Sequence, residues 1–294
     1  MKKAFSFIIA LALIFAAMLS LSSCFYMNPG SPNSVSYKKY DNADKYKIGN
    51  FSYSASGIER VEIDWVAGEV NTAVTESDIL NVYESGENLA ESEQLHYYSD
   101  GKTLFIKYCK SLFSGEIAPE QKSLNIEIPH GVELEITSVS ADIFSGGLDM
   151  KSIDISTVSG DATLTSACAD DISVSSVSGD IFVSSAKTSG KLKFESVSGD
   201  IRNDRAEAGS IKAVSVSGDV ELGILDVTAV DIDTTSGDIV LTLIGDIGID
   251  LDFSTTSGKH SAESDYKTGA KRCTVKATTV SGDLDTRRNG KVSQ

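Results

Sequence analysis

The chain has 294 residues, of which 41% are hydrophobic, 24 are glycine and only 4 are proline. That apolar share excludes wholesale disorder, and the length fits one large domain or two ordinary ones. With 42 acidic residues against 26 basic ones, the formal net charge is −16. This excludes a reader of nucleic-acid backbones, which needs a basic surface.

Lys2 and Lys3 precede a mostly apolar run from Ala4 to Leu21, closed by Leu21-Ser22-Ser23-Cys24. This is the layout of a secretory signal spanning residues 1–23. Its end is shaped like a bacterial lipobox, in which Cys24 is lipidated and becomes the mature N-terminus. An uncleaved anchor helix is the alternative, because the run lies at the short edge of a membrane span. Either way, the remainder is expected outside the cytoplasm, held at a membrane. Residues 24–50 are rich in Asn, Ser, Pro, Lys and Tyr without an apolar period, and read as a flexible tether.

Residues 51–135 read as an N-terminal β section. Val61, Ile63, Val66 and Val70 alternate around Gly68 in VAGEV, and strand-like runs follow at 79–83, 95–98, 104–108 and 124–128. The turn Ser99-Asp100-Gly101-Lys102 joins two of these runs as an antiparallel hairpin. Such hairpins would cover an exposed sheet edge.

From residue 136 to 294 one phrase recurs. Taking its glycine as a marker, copies fall at Gly160, Gly179, Gly199, Gly218, Gly237, Gly258 and Gly282, with Ala141 in the same place in VSADI. The steps are 19, 19, 20, 19, 19, 21 and 24 residues. Apolar residues recur seven, five and two positions before the marker, and two and four after it. For Gly179 these are Ile172, Val174, Val177, Ile181 and Val183. Steps of two are strand periodicity, and the step of three marks a bend.

Each unit is therefore expected as a strand, a bend and a second strand, with glycine inward where backbones approach closely and Ser and Asp outward. Nineteen residues cannot enclose a core alone, so the units must stack. The fold class is all-β: a single-domain β-solenoid with rungs about 4.8 Å apart, so that eight rungs rise on the order of 40 Å.

The order of a lipobox, VEIDWVAGEV, LNIEIPHGVELEITSVSADI and serial VSGDI units resembles a bacterial β-strand-repeat family of unknown function, whose members often carry an adhesin label. The resemblance covers about residues 55–290. It implies a cell-envelope protein of Gram-positive type and transfers no catalytic residue.

Stacking places Asp142, Asp161, Asp180, Asp200, Asp219 and Asp238 in one outer column, expected to continue through Lys259 and then Asp283. Such a column persists if each carboxylate accepts local backbone N–H groups, or if calcium sits between rungs. The turn reading is the simpler one, since Asp suits corners. Asp231-x-Asp233 resembles the start of a calcium loop, but Ser236 and Thr242 occupy the places of its Gly and Glu.

Catalytic motifs are missing from the sequence. His96, His130 and His260 read as surface or turn histidines. Cys109, Cys168 and Cys273 are odd in number and widely spaced, so they make neither a disulfide framework nor a metal site and read as small buried hydrophobes. The enzyme alternative is a carbohydrate-active β-helix using Asp246, Asp250 and Asp252, which alternate along one strand. The reading that results is a non-catalytic, membrane-anchored module without a cofactor, whose partner is an envelope protein or a wall polymer.

Overall fold

In the computed structural model, which describes residues 25–27, 34–37, 39–112, 114–116, 122–262 and 266–289, 25 strands join into one sheet. A separate three-stranded sheet pairs Ser34–Tyr37 with Phe25–Met27 and with Ser114–Glu116, both antiparallel. The helical element among the described residues is a single 3-10 turn, Ala43–Lys45. The protein is an all-β solenoid.

Equivalent residues of successive repeats pair in parallel and in register. Ile153, Ile172, Leu192, Ile211 and Val230 form one inward column, each beside the next. All are at most 2% exposed. Burying one such side chain stabilises by about 1.5–3 kcal/mol, and stacking like upon like lets every rung share that gain with its neighbours.

The rungs from Ala141 to Gly218 have three sides, not two. For Gly179 they are Asp171–Ser176, Ile181–Val183 and Ala186–Thr188. The third strand carries little sequence signal because its inward positions hold small residues, Ala167 and Ala169 in one rung and Ala186 and Thr188 in the next. Further along, Ile201–Ser215 and Val220–Thr234 run as single long strands through the third side into the following rung.

The inward residue before the bend also differs from expectation. Val158, Val177, Val197, Val216 and Thr235 are half-buried, while the hydroxyl residue one place earlier is buried: Thr157, Ser176, Ser196, Ser215 and Thr234 are at most 3% exposed. Strand periodicity therefore continues through Ser or Thr before the chain turns. The hydroxyl can point inward because in most rungs it accepts the marker's N–H, as Thr157 Oγ1 does from Gly160 at 3.1 Å and Ser215 Oγ from Gly218 at 3.0 Å.

Stacking order departs from chain order at both ends. At the C-terminal end, Lys271–Thr278 pairs with Val220–Thr234, and Leu284–Asn289 pairs with Ile239–Ile244. The rung of Gly282 thus lies directly on that of Gly237. Ile247–Ser254 and His260–Ala262, which belong to Gly258, lie outside it. At the other end, Thr103–Lys107 and Ser123–Pro129 pair in parallel with Arg60–Trp65 and Glu69–Thr75, on the side away from Glu133–Ser138 and Asp142–Gly146.

Antiparallel strands finish that N-terminal end. Phe51–Ser54 pairs with Ile79–Ser85, Lys47–Ile48 with His96–Ser99, and the latter with Thr103–Lys107. Part of the expected tether therefore packs on the domain. Tyr40 is buried, and its hydroxyl donates to the Cys109 carbonyl at 3.2 Å. Cys24 lies outside the described residues, and among those described no helix is long and apolar enough to cross a membrane.

Candidate functional surface

The repeated phrase is spent on joining rungs. At Gly160, Gly179, Gly199, Gly218 and Gly237 a Cβ would sit 1.9–2.1 Å from the carbonyl oxygen of the rung below. No side chain fits so close to backbone, so glycine is required there. Gly282 and Gly258 repeat the relation, over Gly237 and Gly282 respectively. Gly68 differs: its φ of 88° turns its carbonyl onto the Asp142 N–H at 3.0 Å, and alanine is accommodated above it at 141.

Serine next to the marker reinforces the joint. Ser159, Ser217 and Ser236 hydroxyls donate to the valine carbonyl of the rung below, at 3.1–3.2 Å. The aspartates form a ladder whose direction is fixed. Oδ1 of Asp142 accepts the Asp161 N–H, Asp161 that of Asp180, Asp180 that of Asp200, Asp200 that of Asp219 and Asp219 that of Asp238, all at 2.8–2.9 Å. Asp238 then accepts from Asp283 at 2.7 Å, and Asp283 from Lys259 at 2.8 Å.

The order Asp238, Asp283, Lys259 corrects the expected Asp238, Lys259, Asp283. Lysine offers no carboxylate to a further rung, so the Gly258 rung fits only at the end. Like charges one rung apart repel by about 1 kcal/mol or less when exposed. A hydrogen bond to a carboxylate returns about as much. The hydrogen bonds thus offset the repulsion along the ladder, and among the described residues no group of three or more His, Cys, Asp or Glu is placed to hold a metal ion.

Asp250 and Asp252 share the outer face of Ile247–Ser254, and in register Asp231 and Asp252 flank Lys276. Asp250 pairs with Arg272, and Asp231 pairs with Lys276 at 3.3 Å, so each faces a cation across a rung. Asp246 lies in the turn before Ile247–Ser254 and Asp252 on the outer side of that strand, both exposed. His130 is in a turn between Asp149 and Glu76, at 3.2 and 3.3 Å. His260 sits between Phe253 and Tyr266, with ring centroids 5.9 and 5.7 Å away, and burial lowers its pKa.

His96 is not a surface residue. It is 4% exposed, burial pushes its pKa down, and its Nδ1 lies 2.9 Å from the Gln94 carbonyl. Cys109 and Cys273 are buried, and burial pushes both thiols up to about 12; Cys168 is exposed, against expectation.

Two buried cations brace the N-terminal end, and periodicity gave no sign of them. Lys107 bonds Glu62 at 3.1 Å and also Asp64. Burial opposes its charge, but the two carboxylates outweigh that and raise its pKa. Lys122 pairs with Glu84 and donates to the Glu93 carbonyl at 2.5 Å and to that of Tyr108. Its ammonium lies 4.8 and 4.1 Å from the Trp65 and Tyr108 ring centroids. Burial nevertheless lowers its pKa.

Three solved structures align over most of the chain. A "putative cell adhesion protein" from Clostridium sporogenes is 15% identical and covers 83% of this chain and all of its own, with a TM-score of 0.30. A "putative adhesin" from Bacteroides fragilis is 13% identical, with coverages of 82% and 97% and a TM-score of 0.48. Another from Parabacteroides merdae is 10% identical, with coverages of 84% and 98% and a TM-score of 0.44. No curated protein matches the sequence. The Toastrack DUF4097 family profile matches residues 58–287, from just before the first rung through the last strand's Arg287. The chain therefore belongs to the Toastrack DUF4097 family.

Proposed function

We propose that this protein is a non-catalytic extracytoplasmic module, held to the membrane by a lipid on Cys24, which presents a rigid sheet to an envelope protein or wall polymer. The observation that carries this reading is the use made of the repeat. Its hydroxyls, glycines and carboxylates bond rung to rung, so the most repeated polar groups build a scaffold and leave recognition to the side chains between them. The lipobox pattern at Leu21 to Cys24 supplies the anchor.

Expression in a Gram-positive host, followed by fractionation and intact-mass measurement, tests the anchor. Wild type is expected in the membrane fraction, with its signal removed and a lipid added, and Cys24→Ala is expected to lose the lipid. An unlipidated wild type that keeps residues 1–23 in the membrane would instead make the segment an uncleaved anchor.

A further inference from the structure

On the second side of the solenoid, register aligns one outward residue from each successive strand. Tyr83 stands beside Asn125, Asn125 beside Asn71, and Asn71 beside Phe144. Phe144 stands beside Thr163, and Thr163 beside Phe182. Tyr83 is 55% and Phe144 41% exposed, whereas a large apolar group facing water ordinarily gains by being covered.

This six-strand row has no charged side chain in a protein of net charge −16. It ends at Arg202, whose guanidinium lies 5.7 Å from the Phe182 ring centroid and which faces Glu221 at 3.8 Å. A groove of about 380 Å³ runs along its Tyr83 end, lined also by Asn81 and Glu127, which bond each other at 2.8 Å.

We propose that this row is a docking surface for an extended, uncharged β-linked polysaccharide. The reading rests on the extracytoplasmic location proposed above and names the wall-polymer class of partner. Three features select that ligand. Aromatic rings in the row offer apolar faces for sugar rings. Asn125, Asn71 and Thr163 between them donate and accept hydrogen bonds as hydroxyl-rich chains require. Phe144 and Phe182 lie two strands apart, about 10 Å at the usual strand spacing, an interval close to the two-sugar repeat of an extended β-linked hexose chain. The six residues of the row carry no charge themselves, and the carboxylates beside them, Glu127 in the groove wall and Glu69 at 3.4 Å from the Asn71 amide, repel anionic polymers.

The test uses full-length protein in detergent, with insoluble chitin and cellulose as probes and cross-linked polygalacturonate as the anionic comparison. Retention is expected on chitin, cellulose or both, and to exceed that on polygalacturonate. The Phe144→Ala/Phe182→Ala double variant is expected to lose retention at least tenfold, while Phe144→Tyr and the third-side variant Lys187→Ala keep it. Thermal midpoints are measured for every variant. If the double variant unfolds, Asn71→Ala and Asn125→Ala take its place, each expected to lose several-fold.

No retention on either neutral polymer, equal or stronger retention on polygalacturonate, or undiminished retention by the folded variants overturns the proposal. Fractionation of Cys24→Ala is a separate readout, so the surface and the anchor fail independently.

Discussion

The repeated Ser-Gly-Asp joins neighbouring rungs through three different contacts. Serine donates to the rung below, glycine lets two backbones touch, and aspartate receives the N–H of the rung above. Glycine bears the steepest constraint. At Gly179 a Cβ would lie 2.0 Å from the Gly160 oxygen and 2.5 Å from its carbonyl carbon, both backbone atoms with no rotamer to yield. Gly179→Ala is therefore expected to destabilise by about 3 kcal/mol, the upper range for overpacking a tight site. Ala141→Gly, over the carbonyl that Gly68 has already turned aside, is expected to cost under about 1 kcal/mol. Urea unfolding of both variants checks this, and a Gly179→Ala midpoint equal to wild type would show that the rungs can part without loss.

Among elements, the rungs were legible where the period was strict and hidden where it loosened. Steps of 19 and 20 residues fixed the repeats from Ala141 to Gly237, and alternation picked out Ile79–Ser85 and Thr103–Lys107. The third strand of the central rungs escaped because alanine marks no hydrophobic face. Lys122 and Glu84 escaped because a buried ion pair has no spacing of its own. Swapped end rungs escaped for a different reason. Local patterns cannot rank two similar rungs, and Lys259 becomes a terminator only once its neighbours are known to form a directional ladder. Cysteine pairs test that order in a Cys168→Ser background. Val240 and Asp285 are register neighbours, whereas Ser261 lies one strand further out. Adjacent strands are about 4.8 Å apart and alternate ones about 10 Å, and disulfides need Cα atoms within about 7 Å. Val240→Cys/Asp285→Cys is expected to oxidise in the native state and Val240→Cys/Ser261→Cys to remain reduced. The reverse outcome would restore chain order.

Over the whole molecule, the acidic ladder and the charge of −16 make electrostatics the variable to perturb. Seven aspartates from Asp142 to Asp283 lie in one column, and every one accepts a backbone N–H from the next rung. Those bonds are local and survive salt, whereas repulsion between exposed carboxylates and across the acidic surface is screened by it. Raising sodium chloride from low to physiological ionic strength is therefore expected to raise the thermal midpoint by a few degrees, as about 1 kcal/mol of relief would in a chain this long. Calcium should do no more than any salt of equal ionic strength, and a chelator should take nothing away, because only a ligand selective for the folded state shifts the midpoint by mass action. A saturable rise at micromolar calcium, reversed by chelator at constant ionic strength, would mean that the ladder's outer oxygens converge on cations. The aspartates would then be ligands as well as joints.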